Sequence, residues 1–269
     1  MSFTFGFIGT GNMGSALAQG AAKKTDPQQI ILTDHFQEKA EALAASLGAQ
    51  AGSLEAVAAE SRFLFLGVKP HMMAALLKDL QPIFAKRKAP PVLVSMAAGL
   101  TVSQLEAMAK SPCPIIRIMP NTPVAQGAGV ILAVCNQHAS ADIFRDFSAG
   151  MSGAGSIHPL DESLIDAGTA ISGCGPAFTY QFIDALADGG VTCGLSRSDA
   201  LQFAAQTVLG AAQMVLETGK HPAQLKNEVC SPGGSTIQGV RTLEQHALHA
   251  ACMEAVIAAF EKTKDLGKA

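Results

Sequence analysis

The glycine-rich turn near the start of the chain is the feature that most restricts its fold. An apolar segment, Phe3–Ile8, runs directly into Gly-x-Gly-x-x-Gly, and an alanine-rich helical pattern follows. In that context Gly9 permits a tight turn, Gly11 lets a pyrophosphate reach backbone N–H groups, and Gly14 lets helix and strand pack closely. The pattern predicts a dinucleotide-binding fold. The expected cofactor contacts in this turn are Ile8, Gly9, Thr10, Gly11, Asn12, Met13 and Gly14.

An acidic residue ends the second predicted strand, Gln29–Thr33. Asp34 lies twenty residues after Gly14, which is the spacing of the ribose-binding acid in a dinucleotide fold. A carboxylate there bonds a ribose 2′-hydroxyl and repels a 2′-phosphate, which favours NADH. His35 and Lys39 lie close in sequence and offset that charge. Asp34 is therefore a predicted cofactor residue, and the residues alone leave the choice between NADH and NADPH open.

The first 160 residues alternate apolar strand patterns with helical ones. This alternation predicts an α/β fold: a Rossmann-type, doubly wound, mostly parallel sheet with helices on both faces, over residues 1–160. The helical patterns cover Met13–Lys23, Gln37–Leu47, Met72–Leu80 and Val102–Ala109. The further strands are expected at Phe63–Gly67, Val92–Ser95, Ile115–Met119, Gly129–Val134 and Ser156–Pro159.

Strand patterns nearly vanish after Asp161, and apolar residues recur at helical spacing to the end of the chain. We therefore expect a C-terminal all-helical domain over residues 161–269. Its alanine-rich apolar stripes exceed what one small bundle needs, which favours a homo-oligomer. Close helix packing within a monomer is the alternative explanation.

Three loops follow predicted strands of the first domain and consist of small or turn-forming residues. In a doubly wound sheet, ligands lie beyond the carboxyl ends of the strands, so three such loops at one edge predict a cofactor cleft. The candidate cofactor residues in these loops are Val68, Lys69, Pro70, Ala97, Ala98, Gly99 and Asn121.

A second anion-binding turn is predicted far from the first. Pro232, Gly233 and Gly234 form a turn just before a helix, and a helix N-terminus with free N–H groups attracts a carboxylate or phosphate. An ordinary turn with a helix cap would look similar. The candidate substrate-binding residues are Ser231, Gly233, Gly234, Ser235 and Thr236.

Composition excludes several kinds of partner. The net charge is −3, with no long basic run, so neither nucleic acid nor an anionic membrane is expected as a partner. The six cysteines show no Cys-x-x-Cys pair, so we expect reduced, mostly buried thiols and no metal site. The chain starts with a core strand, so we expect no signal peptide and a cytoplasmic location.

The whole length resembles pyrroline-5-carboxylate reductases, the last enzymes of proline synthesis. The motifs that carry the resemblance are Gly6-Phe7-Ile8-Gly9-Thr10-Gly11-Asn12-Met13-Gly14, Val68-Lys69-Pro70, Ala97-Ala98-Gly99, Met119-Pro120-Asn121-Thr122, Ser172-Gly173-Cys174-Gly175-Pro176-Ala177 and Ser231-Pro232-Gly233-Gly234-Ser235-Thr236. The last motif is the most specific, whereas the first occurs in many enzymes.

The resemblance implies hydride transfer from a reduced nicotinamide to the C=N carbon of 1-pyrroline-5-carboxylate, giving L-proline. It also implies NADPH as the usual cofactor with NADH possible, a homodimer intertwined through the helical domain, and possible decamers built from five dimers. Thr236 is the implied catalytic residue. Because its hydroxyl is a weak acid, we expect it to orient the substrate rather than to supply large acid catalysis.

One similar class of enzyme is excluded, and other functions stay open as alternatives. The chain has no lysine between Lys110 and Lys220, whereas the similar 3-hydroxyacid dehydrogenases carry a catalytic lysine early in their helical domain. A non-catalytic nicotinamide-binding sensor, or a reductase of another cyclic imine, remains the alternative. A sensor has no need of the substrate turn at Ser231–Thr236, which favours the enzyme.

Overall fold

The computed structural model describes residues 2–266. By backbone contacts the chain divides into two units. The first contains the described residues up to Gly173 together with those from Phe260 onward, and the second is Cys174–Ala259.

The first unit is built on one eight-stranded sheet in the order β3-β2-β1-β4-β5-β6-β7-β8. Every neighbouring pair is parallel except β6 and β7, which are antiparallel. The strands are β1 Phe3–Ile8, β2 Ile30–Thr33, β3 Gln50–Ala51, β4 Ser61–Leu66, β5 Val92–Ser95, β6 Ile115–Pro120, β7 Gly129–Cys135 and β8 Gly155–Pro159. The doubly wound, mostly parallel sheet expected from the sequence is confirmed.

Helices connect the strands and then form the second unit. Those of the first unit are α1 Asn12–Ala22, α2 Gln37–Leu47, α3 Leu54–Glu60, α4 Met73–Phe84, α5 Val102–Ala109, α6 Ala141–Met151 and α7 Ile165–Ser172. The later helices are α8 Gly175–Thr192, α9 Arg197–Thr218, α10 Pro222–Glu228, α11 Ser235–Gln245 and α12 Leu248–Leu266. No strand is assigned between residues 160 and 266, in agreement with the helical C-terminal region expected from the sequence.

Both faces of the sheet are buried, as a parallel sheet covered by helices requires. On β4, Phe63 and Phe65 lie in one apolar cluster, and Leu64 and Leu66 lie in the cluster on the opposite face. The ring of Phe7 stacks on that of Phe65 with 4.3 Å between ring centroids. The period-two alternation of strand side chains thus supplies two cores from one run of apolar residues.

Three elements were absent from the sequence-based assignment: β3, α3 and α6. Strand β3 has only two residues, both exposed, so it carries no apolar pattern. Helix α3 has only seven residues, and its signal is the capping serine Ser53, whose hydroxyl accepts from the Ala56 N–H at 3.2 Å. In addition, β2 begins at Ile30, because Pro27–Gln29 forms a 3₁₀ turn.

Helix α7 belongs spatially to the sheet-containing unit. Ile165 is buried in an apolar cluster with Val102, Leu132 and Val134, which are residues of α5 and β7. A Cβ on Gly168 would lie 2.5 Å from a methyl carbon of Leu132, so the helix packs closely on the sheet. The contact-based division therefore falls after Gly173, whereas the change of sequence pattern falls near residue 160.

The second unit buries little apolar surface of its own. Among its described residues, only Ala187, Ala200 and Ala204 are buried, where α8 packs on α9. Large apolar side chains remain exposed, including Tyr180, Phe182, Leu186, Leu201, Phe203, Leu209, Met214, Leu216, Met253 and Ile257. Within residues 2–266, no helix is both long enough and apolar enough to cross a membrane.

Candidate functional site

The first glycine turn is shaped by two close backbone approaches. Gly9 has φ +97° and donates its N–H to the Thr33 carbonyl at 2.8 Å, and a Cβ there would lie 2.6 Å from the Gly67 carbonyl oxygen. A Cβ on Gly14 would lie 2.2 Å from the Gly9 carbonyl oxygen. Both positions therefore exclude any larger residue for reasons internal to the fold, as the sequence predicted.

Gly11 is different. Its φ is −66°, which any residue adopts, and no described atom lies within 4 Å of where its Cβ would be. Gly11 also caps α1 without a side-chain acceptor, so the first amides of α1 have no side-chain partner there. An open space beside unpartnered helix amides fits a pyrophosphate, although this role of Gly11 stays a prediction.

Asp34 lies at the carboxyl end of β2, and its carboxylate turns toward the glycine turn. Oδ2 accepts from the Thr10 N–H at 2.6 Å and from the Thr10 hydroxyl at 3.0 Å, and Oδ1 accepts from the Phe36 N–H at 3.0 Å. Partial burial by itself would raise the pKa of Asp34, but these hydrogen bonds and the nearby Lys39 charge outweigh it and lower the pKa. The carboxylate is therefore ionised at neutral pH.

The sheet brings the predicted cofactor residues to one edge. Strands β2, β1, β4, β5 and β6 are consecutive neighbours, so their carboxyl ends and the following residues line up. Along this edge Lys69 is exposed, Ala97 is buried, and Gly99 turns with φ +80°. The residues thus placed along the edge are Ile8–Gly14, Asp34, Val68–Pro70, Ala97–Gly99 and Asn121.

Asn121 is part of this edge, but its side chain is engaged within the unit. Its amide nitrogen donates to the Ser172 carbonyl at 2.8 Å, and its amide oxygen accepts from the Val130 N–H at 2.9 Å. The residue is 7% exposed. Sequence reasoning missed this arrangement, because Ser172 is distant in sequence and only the packing of α7 brings its carbonyl to Asn121.

A surface pocket lies away from this edge. A cavity of about 290 Å³ is lined by residues including Gln81, Phe84, Pro91 and Lys110, at the amino ends of β5 and β6. None of its lining residues belongs to the predicted site. Ligands of doubly wound sheets lie at the carboxyl ends, so the geometry of the sheet is the better guide to the cofactor cleft.

The second glycine turn precedes α11 as the sequence predicted. Gly233 has φ +70°, and the Gly234 N–H donates to the Ser231 carbonyl at 3.1 Å. Gly234 is the N-cap of α11 and provides no side-chain acceptor. The side chains of Ser235 and Thr236 are exposed, and within residues 2–266 the Thr236 hydroxyl has no recorded hydrogen-bond partner. These amides and hydroxyls can receive an anion.

The cysteines differ from expectation. Cys113 is buried, and its burial together with the Glu106 charge raises the pKa of its thiol to about 11. Cys135, Cys193 and Cys252 are exposed, so the expectation of mostly buried thiols is wrong. Two of these exposed thiols lie in the second unit, where few side chains of any type are buried. The described residues contain no His, Cys, Asp or Glu group arranged to hold a metal.

Two family models match the chain. Residues 162–266 match the model described as pyrroline-5-carboxylate reductase dimerisation, and this match supports a homo-oligomer. Residues 4–99 match the model described as NADP oxidoreductase, coenzyme F420-dependent, which covers the glycine turn and the Lys69 loop.

Relatives and solved structures match over nearly the full length. A pyrroline-5-carboxylate reductase from Methanosarcina acetivorans is 40% identical over 98% of this chain and 97% of its own. The Escherichia coli enzyme of that name is 38% identical over the whole of both chains. A solved pyrroline carboxylate reductase from Plasmodium falciparum, described as having NADP bound, is 32% identical with TM-score 0.84 and covers 98% of both chains.

The Coxiella burnetii enzyme matches with TM-score 0.89 at 30% identity over 99% of both chains. The resemblance identified from the motifs is confirmed, because identity and fold agree over both units. The chain belongs to the pyrroline-5-carboxylate reductase family, oxidoreductases that use NAD(P)H to reduce 1-pyrroline-5-carboxylate to L-proline in proline biosynthesis.

Proposed function

We propose that the protein reduces 1-pyrroline-5-carboxylate with the help of two glycine turns, each of which binds a different reactant. The turn at Gly9–Gly14 holds the dinucleotide pyrophosphate, and the turn at Ser231–Thr236 holds the substrate carboxylate. The observation that carries the proposal is common to both turns. Each precedes a helix whose N-cap glycine, Gly11 or Gly234, leaves the first helical amides without a side-chain acceptor.

The substrate turn suits a cyclic imine carboxylate. The amides that follow Gly234, together with the Ser231 and Ser235 hydroxyls, receive the carboxylate, and the helix dipole favours the negative charge. The Thr236 hydroxyl hydrogen-bonds the ring nitrogen and orients it. A bound reduced nicotinamide would supply a hydride to the carbon of the imine already protonated at nitrogen, so the nitrogen becomes an amine without a further proton. The contribution of these residues is mainly alignment and exclusion of unproductive poses.

The cofactor edge provides groups for the rest of the dinucleotide. We assign the nicotinamide and its ribose to the loops Val68–Pro70 and Ala97–Gly99 with the Asn121 turn, and the adenosine to the end of β2. NADPH is the proposed cofactor, with NADH possible. A structure of a 32% identical relative is described as having NADP bound, and Lys39 and His35 lie beside Asp34 in this chain.

The second unit is proposed to complete an intertwined homodimer, with the substrate turn near the contact. Its support is the set of exposed apolar side chains on α8, α9 and α12, beside only three buried alanines. Apolar exposure of this extent in a stable helical unit is typical of an obligate interface. We extend the proposal to decamers built from such dimers and to the cytoplasmic location expected from the sequence.

A steady-state assay tests the proposal. Purified protein, NADPH or NADH, and 1-pyrroline-5-carboxylate are mixed, and loss of the reduced-nicotinamide absorbance is followed as L-proline forms. A related cyclic imine without the carboxylate is the substrate control. We expect turnover of the carboxylate-bearing ring and a much higher KM without it. Equal efficiency with both rings would contradict the assignment of the second turn to the carboxylate.

A further inference from the structure

The carboxylate of Asp34 already accepts hydrogen bonds from other groups of the protein. An ionised carboxylate offers about four acceptor positions, and three of them receive the Thr10 N–H, the Thr10 hydroxyl and the Phe36 N–H. Two of these bonds converge on Oδ2. An acid at this strand end ordinarily bonds a ribose hydroxyl and repels a 2′-phosphate, and here both bonds to Oδ2 come from the glycine turn instead.

Resting on the proposed function, we propose that Thr10 determines which dinucleotide the chain prefers. It holds the Asp34 carboxylate against the glycine turn, and it thereby leaves Lys39 as the charged side chain that a 2′-phosphate meets. Thr10 acts through Asp34 and is therefore a positioning residue. The result is a preference for NADPH in a chain whose second strand ends in an acid.

The hydroxyl of Thr10 is the group that distinguishes threonine and serine from other residues in this arrangement. Any residue except proline keeps the N–H that bonds Asp34, but among small side chains only threonine and serine add the hydroxyl donor. Thr10 is itself 7% exposed, and its carbonyl accepts from the Ser15 hydroxyl at 2.7 Å, so the donor is held in place from the α1 side. A buried hydroxyl beside a carboxylate is also costly to replace with a methyl, because the carboxylate then loses a partner.

Lys39 lies in the first turn of α2 and is exposed. Its ammonium nitrogen lies 4.9 Å from the ring centroid of Phe36, and that ring is 62% exposed. Phe36 caps α2 without a side-chain acceptor, so the Gln37 and Glu38 amides can receive a phosphate oxygen, whereas the Lys39 N–H donates to the Phe36 carbonyl at 2.9 Å. An exposed ammonium that rests on a ring loses little when it moves to a phosphate, which bonds it more strongly.

The test is the ratio of kcat/KM with NADPH to kcat/KM with NADH, measured for the imine. Four variants are compared with wild type: T10V, T10S, K39Q and K24Q. T10V removes the hydroxyl at nearly constant shape, and T10S keeps it. K24Q removes an equal charge from an exposed residue just after α1, at the opposite end of that helix from the glycine turn.

We expect wild type, T10S and K24Q to prefer NADPH. T10V should lower the ratio on the order of tenfold, because the carboxylate, left with two backbone N–H donors, repels the 2′-phosphate more strongly and accepts more readily from a 2′-hydroxyl. K39Q should lower the ratio by a similar factor, through weaker use of NADPH with little change for NADH. T10A serves as a second removal of the hydroxyl if T10V does not fold.

A ratio unmoved by T10V and T10A while K39Q lowers it would overturn the role of Thr10. A ratio unmoved by K39Q would overturn that of Lys39, and a wild type that prefers NADH would overturn the whole inference. Failure of the proposed function is distinguishable, because then wild type would not turn over the imine with either dinucleotide.

Discussion

At the scale of single residues, the two helix-capping turns make separable predictions. Thr236 has an exposed hydroxyl with no protein hydrogen-bond partner among the described residues, so it is available to a ligand. Its N–H belongs to the first turn of α11 and would survive substitution. The hydroxyl can therefore be removed without disturbing the turn.

Thr236→Ala is expected to reduce kcat/KM for the imine by roughly ten- to a hundredfold. A hydrogen bond to a charged or developing-charge group contributes on the order of 1.5–3 kcal/mol. The dissociation constant of NADPH, measured by calorimetry or fluorescence, should stay near the wild-type value, and Thr236→Ser should restore most of the rate. Wild-type efficiency in the alanine variant would show that Thr236 has no such role.

Gly11 and Gly14 lie three residues apart, and substitutions at the two positions are predicted to have different effects. The Cβ that Gly11→Val adds has no described atom within 4 Å outside the adjacent residues, so the free energy of unfolding should change little, whereas the NADPH dissociation constant should rise steeply. Gly14→Ala places a Cβ 2.2 Å from the Gly9 carbonyl oxygen and should lower the free energy of unfolding by about 1–3 kcal/mol. Urea denaturation and cofactor titration of both variants provide the comparison. Equal loss of stability in both would mean that Gly11 is required by the fold.

At the scale of elements, one ion pair ties three segments of the first unit together. Arg117 on β6 has a side chain only 5% exposed, and its Nη1 lies 2.7 Å from Oε1 of Glu162. The same Oε1 accepts from the Val102 N–H at 2.8 Å, at the start of α5. The pair therefore anchors the segment before α7 to both the sheet and the helix that follows the Ala97–Gly99 loop.

Glu162→Ala is expected to destabilise the protein by about 2 kcal/mol, because it leaves a buried guanidinium without its counter-charge. The double variant Arg117→Met, Glu162→Ala should lose less stability than the two single changes added together. Arg145 and Asp142 form the matched control, since their side chains are 73% and 75% exposed. Their coupling energy in the same double-mutant cycle should be about 0.5 kcal/mol or less. Additive effects at Arg117 and Glu162 would refute the anchoring role.

At the scale of the whole molecule, the exposed apolar side chains of the second unit indicate that copies of the chain associate. Leu216 is 83% exposed and Tyr180 is 59% exposed on helices that otherwise bury only alanines, so a folded monomer would leave a large apolar surface in water.

Light scattering at micromolar concentration should therefore give a mass of at least a dimer. Leu209→Glu and Met214→Glu, which place charges on exposed apolar positions of α9, should shift it toward the monomer. Lys24→Glu, a change at an exposed position of the first unit, is the control and should leave the mass unchanged. A wild-type mass near 27.7 kDa would contradict the association.

Much of this organisation could be read from residue order, because it depends on local physics. Gly14 is required by the approach of the Gly9 carbonyl within a single strand–turn–helix unit. Helices α2 and α5 match their predicted bounds because the apolar patterns that define them are local to each segment. The same holds for the second turn, since Gly233, Gly234 and the start of α11 are consecutive. Strand β3 was not predicted, because its two residues are exposed and show no apolar pattern; only their pairing with β2 defines the strand.

The tertiary structure decided the features that depend on partners distant in sequence. The sequence predicts that Asp34 is an acid that faces a ribose. Only the packing of β2 beside β1 places the Thr10 hydroxyl 3.0 Å from its carboxylate. Asn121 likewise reads as a loop residue until α7 packs on the sheet and presents the Ser172 carbonyl. Side-chain hydrogen bonds act over about 3 Å, and a chain of this length brings such groups together only when it folds. The residue types and their local turns were thus determined by the sequence, whereas the partners of each polar group were determined by the packing.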